Sequence, residues 1–394
     1  MGGAQGSMMH PYDNTDLKIS DLIAIARQFT KRATWTEKVD GINITWGYKD
    51  DKFWISRNKY QLTNPVDFDT FRSSLHGHPA QLMFEKGLNM IEAIGKSNIG
   101  YLGALTRLNS ADIIWINTEL IDSSSPQMLR YDEDCLVVHN LFKVNSDNKK
   151  TPLIINDSFI NETIIPSFNR SSTKVYGALK IHLPPVAFSY FMNFESRMYT
   201  ILAECDLTPL ATISDIIHTR TYKLLTDNHN MHPEYAFDIA DNVSGQGKHD
   251  IRVIKRNAKN KTIVNEYGLS KNRMKVQNRV LRELKDAWLE FGSKVLEDIC
   301  STLIKDPQVA DLRMQNLFQF NSEFLSTLGS TDNMYLDWCT QYKKFRAYGV
   351  PLQIIEGVTF MHGDSLYKLT GAFQLQNRLT GIARYQYGQT MKEE

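Results

Sequence analysis

The residues best suited to chemistry lie in one short string, Glu37-Lys38-Val39-Asp40-Gly41-Ile42-Asn43, where a lysine ends one predicted strand and a glycine turn leads into the next. A lysine amine attacks an electrophile only when neutral, and with an ordinary pKa of about 10.4 almost none of it is neutral at pH 7. Neighbouring positive charge and partial desolvation both favour the neutral amine, so a nucleophilic lysine needs cationic company in a sheltered place. The chain supplies candidates in order: Ser56-Arg57-Asn58, Glu119 within Trp115-Ile116-Asn117-Thr118-Glu119-Leu120, Val137-Val138-His139-Asn140, Glu356-Gly357-Val358 and Tyr367-Lys368-Leu369. Each has a plainer reading. Asp40-Gly41 fits an ordinary hairpin turn, Arg57 and Glu119 fit surface ion pairs, and Glu356 and Lys368 fit the solvent face of a strand pair. Their company gives the first string its weight.

These residues need elements to position them. Apolar residues recur near helical spacing over residues 16–29, with Asn14, Thr15 or Asp16 as the cap. Residues 34–48 alternate around Val39, Ile42, Ile44 and Trp46, and residues 52–57 repeat the strand signature after the polar Lys49-Asp50-Asp51, which predicts a β-hairpin. A helix is predicted over residues 80–94. Strands are predicted over 113–121 and 135–142, with Ser123-Ser124-Ser125-Pro126 breaking the chain between them. The first 145 residues therefore read as α+β around an antiparallel sheet. Short strand-like runs at 152–155 and 174–183 lead to Pro184-Pro185, a natural boundary, and helical patterns then dominate. The clearest covers residues 275–304, where Val276, Val280, Leu284, Trp288, Phe291, Val295, Ile299 and Leu303 form one stripe. Strand-like sequence resumes near Leu352. The expected organisation is a mainly helical inserted domain, residues 186–345, within an α+β domain built from residues 9–185 and 346–394.

At 394 residues, with 42% hydrophobic and 23% charged residues, the chain is long enough for two domains and is neither disordered nor collagenous. Its net charge of +1 supplies no global field toward nucleic acid or an anionic membrane, so any basic surface must be local. One segment qualifies: residues 248–285 hold twelve Lys and Arg against three Asp and Glu. Lys255, Arg256, Lys259, Lys261, Lys271, Arg273 and Lys275 form the expected phosphate-tracking surface. Tyr267 and Trp288 are the nearest aromatic residues, so backbone charge rather than base stacking would carry binding. The plainer reading is a solvated helix face. Cys135, Cys205, Cys300 and Cys339 are widely spaced and read as reduced, packed thiols of a cytoplasmic protein. No apolar run spans a bilayer, no membrane partner is expected, and residues 1–8 read as an expression remnant. His76 and His78 lack further metal-ligating neighbours.

The ordered set resembles the motifs of the covalent nucleotidyltransferase superfamily, which comprises ATP-dependent RNA and DNA ligases and mRNA capping enzymes. Lys38-Val39-Asp40-Gly41 is similar to the first motif, Glu119 to the glutamate of the third, residues 137–142 to the hydrophobic strand that follows, Glu356-Gly357-Val358 to the fourth motif and Lys368 to the first lysine of the fifth. Asn43 leans toward the phage-type RNA ligases. The whole chain also resembles ligase-like proteins of large tailed phages, which share a Tyr367-Lys368-Leu369-Thr370-Gly371-Ala372-Phe373 ending. The resemblance implies an antiparallel-sheet, ATP-grasp-like adenylation domain carrying a large helical insertion. It implies ATP as substrate and Mg²⁺ or Mn²⁺ as cofactor, with Lys38 as the nucleotide-accepting nucleophile. Glu37, Asp40, Gly41, Arg57, Glu119, His139, Glu356 and Lys368 would form the nucleotide site, and Glu356 would also hold the metal. Glu119 would accept from the ribose hydroxyls, and Arg57 and Lys368 would neutralise phosphate charge. His139 has a plainer reading as a satisfied interior histidine.

The chain departs from the family at Thr370, where a second lysine is common, and at Thr118, where the third motif often has glycine. Only 26 residues follow Lys368, fewer than the OB-fold that DNA ligases and capping enzymes carry there. The expected function is RNA ligation, in the host cytoplasm if the gene is a phage's, with RNA or other polynucleotide ends as partners. Two alternatives stay open: nucleotidyl transfer to DNA, a protein or a small molecule, and a non-catalytic phage scaffold that binds nucleotide or nucleic acid.

Overall fold

The computed structural model describes residues 9–39, 41–50, 52–57, 59–78, 81–108, 113–123, 133–144, 150–152, 159–177, 180–183, 185–246, 261–268, 270–303, 355–363 and 365–370. They form an α+β protein with two sheets. The smaller sheet has the order β11-β10-β1-β9, all antiparallel, from β1 (Ala33–Lys38), β9 (Lys180–Leu183), β10 (Gly357–His362) and β11 (Ser365–Leu369). The larger contains β2 (Ile42–Lys49), β3 (Lys52–Ser56), β4 (Val66–Asp67), β5 (Ile114–Ile121), β6 (Cys135–Val144) and β7 (Lys150–Pro152) in the order β4-β3-β2-β5-β6-β7. β8 (Lys174–Gly177) joins it parallel to β6.

The hairpin expected around Lys49 and Asp50 is present, with Lys49 opposite Lys52 and Asp50 at φ 53°, a left-handed conformation that a short polar side chain tolerates. The long alternation over 34–48 is two strands in two sheets. β1 pairs with β9 and β10, while β2 pairs with β3 and β5, so no hairpin turn joins β1 to β2 and the chain there crosses between sheets. Alternation reports which face a residue takes but not which strand lies alongside. For the same reason the run over 174–183 divides into β8 and β9, one in each sheet.

The helices cover these sheets. They are α1 (Ile19–Gln28), α2 (Lys59–Thr63), α3 (Phe68–Ser74), α4 (Gln81–Leu108), α5 (Ile165–Phe168), α6 (Phe188–Glu204), α7 (Ile213–Lys223), α8 (Pro233–Ser244), α9 (Lys261–Gly268), α10 (Arg273–Val280) and α11 (Arg282–Leu303). Phe84, Leu88, Ile91 and Ile94 put one stripe of α4 against Ile44, Trp46, Ile116 and Leu120 of the large sheet. α4 runs past the expected end at Ile94 through a kink at Asn98 (φ −131°). There the Asn98 side chain donates to the Ile94 carbonyl at 2.8 Å, competing with the backbone ladder. The helix expected over 275–304 is α10 and α11, separated at Leu281 (φ −92°, ψ 3°), which is buried.

A second core joins the small sheet to the helices. Trp35, Val358, Phe360, Tyr367 and Leu369 pack with Phe29 at the end of α1 and with Phe191, Phe194, Trp288 and Phe291 from α6 and α11. The helices over residues 188–303 thus share one core with the strands at both ends of the chain. A short helical turn, Pro11–Asp13, runs beside β11: Met9 bridges Tyr367, the Lys368 backbone N–H donates to the Met9 carbonyl at 3.2 Å, and Asn14 Nδ2 donates to Tyr367 Oη at 2.8 Å. Residues 304–354 and 371–394, expected to complete the helical insertion and the last strands, lie outside the described residues. Cys135, Cys205 and Cys300 are buried free thiols, as expected, and Cys339 lies outside the described residues. No helix among the described residues is long and apolar enough to cross a membrane.

Candidate active site

Strand alternation and register divide the small sheet between two tasks. Thr36 lies opposite Thr359, which lies opposite Lys368, so these three and Lys38 share one face. Trp35, Val358, Phe360 and Tyr367 take the other face, into the helical core. Glu37 alternates onto that second face and is 3% exposed, so its side chain does not accompany Lys38. At the end of the sheet Lys38 is opposite Gly357, and the residue before it, Glu356, forms an ion pair with the Lys38 ammonium. Only 14% of the Lys38 side chain and 9% of Glu356's are exposed, so the pair is largely desolvated. Lys368 makes no side-chain hydrogen bond or ion pair among the described residues. Burial, and then the charge of Lys38, push its pKa down.

The large sheet carries a polar patch around Glu119, on whose carboxyl the charge of Lys38 bears. Asn43 lies opposite Glu119 and Thr45 opposite Asn117. Asn117 Oδ1 accepts from Asn43 Nδ2 at 2.8 Å and from Thr45 Oγ1 at 2.9 Å, and Asn43 Nδ2 also reaches Glu119 Oε2 at 3.3 Å. On the next strand, Asn117 pairs with Asn140 but Thr118 pairs with Val138, which leaves His139 as the extra residue of a β-bulge. A bulge redirects a side chain, and here it brings His139 Nε2 to 3.2 Å from Glu119 Oε2. Burial opposes ionisation of Glu119. The bond to His139, the charges of His139 and Lys38, and the bond from Asn43 outweigh it and hold the carboxyl below its ordinary range. Oε2 takes both contacts, and Oε1 makes no hydrogen bond among the described residues.

Two small features set the crossing between sheets. Val39 packs with Ile121, Cys135 and Val137, pinning the residue next to Lys38 against the large sheet. Gly41 lies so close to β5 that a Cβ there would be 2.5 Å from the Leu120 carbonyl oxygen and 2.7 Å from Glu119 Cγ. Gly41→Val is therefore expected to cost about 1–3 kcal/mol through overpacking. It should also displace Glu119, and urea unfolding with nucleotide-binding titrations would measure both effects. Asp40 itself lies outside the described residues.

Arg57 follows β3 and stacks its guanidinium 4.1 Å over the Phe84 ring of α4, where burial lowers its pKa. Among the described residues no group of three or more His, Cys, Asp or Glu side chains could hold a metal. Glu356 alone suits the way Mg²⁺ is usually held, by one or two carboxylates with waters and substrate phosphates completing the shell.

The expected basic surface is only partly open to a ligand. Lys271 and Lys275 are exposed, but Arg273 donates to the Val243 carbonyl at 3.2 Å, and Arg279 donates to Tyr267 Oη at 2.6 Å. Tyr267 and Trp288 are 2% and 1% exposed, so neither offers a stacking face. Lys255, Arg256 and Lys259 lie outside the described residues, as does the side chain of Lys261 at the start of α9.

Sequence reasoning missed Thr45 and Asn117, although polar residues inside the wholly buried β5 are themselves a signal of an organised site. Comparison with protein-family models, with curated proteins and with solved structures returns no match.

Proposed function

We propose that this protein is an ATP-dependent, RNA ligase-like nucleotidyltransferase that adenylates Lys38, passes AMP to a 5′-phosphate and joins that end to a 3′-hydroxyl with release of AMP. The observation that carries the reading is the sheltered Lys38–Glu356 pair, with Lys368 on the same sheet face and without a side-chain partner among the described residues, and with the charge of Lys38 bearing on the ionised Glu119. Isolated surface lysines have no such surroundings, and perturbed titratable groups gathered in one place favour a reactive site.

The chemistry follows from the side chains. A proton leaves the Lys38 ammonium through Glu356, which already contacts it, and passes on to solvent water, so that Glu356 is again a carboxylate. The freed lone pair forms a P–N bond to the α-phosphorus of ATP while the bond to the pyrophosphate oxygen breaks. Lys368 neutralises charge on the phosphates. Glu119 Oε1 accepts from the ribose hydroxyls, with His139 and Asn43 fixing the carboxylate through Oε2. Glu356 and waters would hold a Mg²⁺ ion, which supplies further neutralisation of phosphate charge. An oxygen of the 5′-phosphate then attacks the α-phosphorus as the P–N bond breaks and returns Lys38 as an amine; the 3′-hydroxyl, losing its proton to solvent, attacks the 5′-phosphorus as the phosphoanhydride bond breaks and AMP leaves.

Incubation with Mg²⁺ and ATP labelled at either the α- or the γ-phosphate, followed by denaturing electrophoresis, tests the first step. Label from the α-position should stay with the protein and label from the γ-position should not. Absence of both sinks the enzyme reading in favour of a binding protein. Offering the labelled protein nicked, single-stranded and structured RNA and DNA ends should show release of the label to RNA 5′-phosphates first.

A further inference from the structure

A cleft of about 380 Å³ opens on the protein surface between α1 and α6. Ser20, Ala24 and Arg27 line it as one stripe of α1, which Lys31 continues just past the helix end. The small side chains of Ser20 and Ala24 leave the gap, and Glu195 and Tyr199, one turn apart on α6, form the facing wall. Pro209 closes one end, where its carbonyl accepts from the Ser20 backbone N–H at 2.9 Å. At the other end Gln28 Nε2 lies 3.3 Å from Nδ1 of His362, the last residue of β10. β10 begins beside Glu356, so at ~3.3 Å per strand residue this end of the cleft lies about 20 Å from the Lys38–Glu356 pair. The charges here do not cancel. Arg27 Nη2 donates to Glu195 Oε1 at 3.0 Å, and the guanidinium stands 5.0 Å over the Phe191 ring. Lys31 is exposed and makes no side-chain hydrogen bond or ion pair among the described residues, and the exposed Arg32 beside it makes none either. Tyr199 is 49% exposed, and its ring has no aromatic partner among the described residues.

We propose that this cleft holds one nucleotide of a single-stranded RNA, with its base stacked on Tyr199 and its phosphate at Lys31 and Arg27, and so guides the strand toward Lys38. The cleft's volume falls at the lower end of small-molecule sites, enough for one nucleotide and too small to enclose a helix about 10 Å wide. An exposed aromatic ring beside cations is the combination that binds single strands, because every base has a face that stacks while the cations follow the backbone. Glu195 orients Arg27 but, in an exposed pair, neutralises little of its attraction for an anion. An acidic peptide would satisfy Lys31 and Arg32 and leave the Tyr199 ring unused. The span of about 20 Å back to Lys38 matches about six stacked nucleotides at ~3.4 Å each, so one strand reaches both places. The choice of RNA rests on the nucleotidyltransferase reading, whereas the cleft and its charge do not.

Fluorescence anisotropy of the whole protein with a dye-labelled 5′-hydroxyl oligoribonucleotide tests this, since an end without phosphate cannot accept AMP. Tyr199→Ala should weaken binding at least about fivefold, the low end of what one stacked base contributes. Tyr199→Phe should keep the wild-type affinity, because the ring and not the hydroxyl does the stacking. Lys31→Met retains the apolar stem, and should lower the affinity and flatten its log–log dependence on salt by about 0.7, the share of one phosphate on a single strand. Equal affinity of the wild type and Tyr199→Ala overturns the proposal, as does absence of binding by the wild type. So does uridine monophosphate binding as tightly as the oligonucleotide, which would make the cleft a site for free nucleotides. A glutamate peptide whose affinity falls with Lys31→Met while that of RNA does not would likewise overturn it, in favour of an acidic protein partner. RNA affinity lost in the variants, without covalent label on the wild type from α-labelled ATP, would leave the cleft standing and the enzyme reading refuted; label with unchanged affinities would mean the opposite.

Discussion

Replacing Lys38 by arginine is expected to leave a folded protein that carries no covalent label from α-labelled ATP. The guanidinium retains the positive charge that Glu356 requires, so the buried carboxylate is not stranded. Its pKa above about 12 keeps it charged, and it offers no neutral amine for attack. Lys38→Ala should abolish label equally but behave differently in stability. It leaves Glu356, 9% exposed at its side chain, without its partner. Removing one member of a buried ion pair costs about 3–5 kcal/mol. Urea unfolding of the two variants separates the roles of this lysine: a label on either would remove Lys38 as the nucleophile, and equal stability of the two would mean that Glu356 is not held by the pair.

The second large effect is a loss of stability in mild acid. Burial and the charges of Lys368, Lys285 and Lys38 depress the His10 pKa from its ordinary 6.5 to about 3, with a bond to the Lys368 backbone offsetting part of the shift. Between those two values the unfolded chain binds a proton that the native protein refuses. Stability from this group is therefore fully present above 6.5 and declines as the pH falls toward 3. Between pH 7 and pH 5 the decline should be about 2 kcal/mol, at 1.36 kcal/mol per pH unit below the unfolded value. Glu119 does not add to this step, because a depressed carboxyl loses its contribution only at more acid pH, below its ordinary value of 4.5. Denaturant midpoints at pH 7 and pH 5 for the wild type and His10→Gln give the comparison. The variant should lose most of the step; an undiminished step would assign the acid sensitivity elsewhere.

Much of the candidate site was legible because polar residue types stand out in apolar strands. Lys38, Glu119, Glu356 and Lys368 are polar groups at or within apolar strands, and their order along the chain drew attention to them. The partnership of strands was not legible. Alternation across residues 34–48 looks continuous whether the chain turns back on itself or crosses to another sheet, and only the registers distinguish the two. The bulge at His139 has no local mark either, since an extra residue is extra only against a partner strand. The break at Leu281 falls inside an unbroken hydrophobic stripe, where periodicity sees no interruption, and the continuation of α4 beyond Ile94 lies past a kink at Asn98. His10 and Lys285 each lie 4.9 Å from the centroid of the Tyr12 ring, a meeting that no pattern in either neighbourhood announces.

The small sheet also governs when the Lys38–Glu356 pair can form. Thr36 and Thr359, neighbours on adjacent strands, are 323 positions apart in the chain. On a ribosome, β1 must wait for the residues around Thr359 to emerge before its partner exists, and such distant pairing is slow to form. A nascent chain that stops short of Glu356 and β10 therefore has Lys38 without the partner that shelters it, so the order of synthesis alone delays the buried Lys38–Glu356 pair by more than three hundred residues.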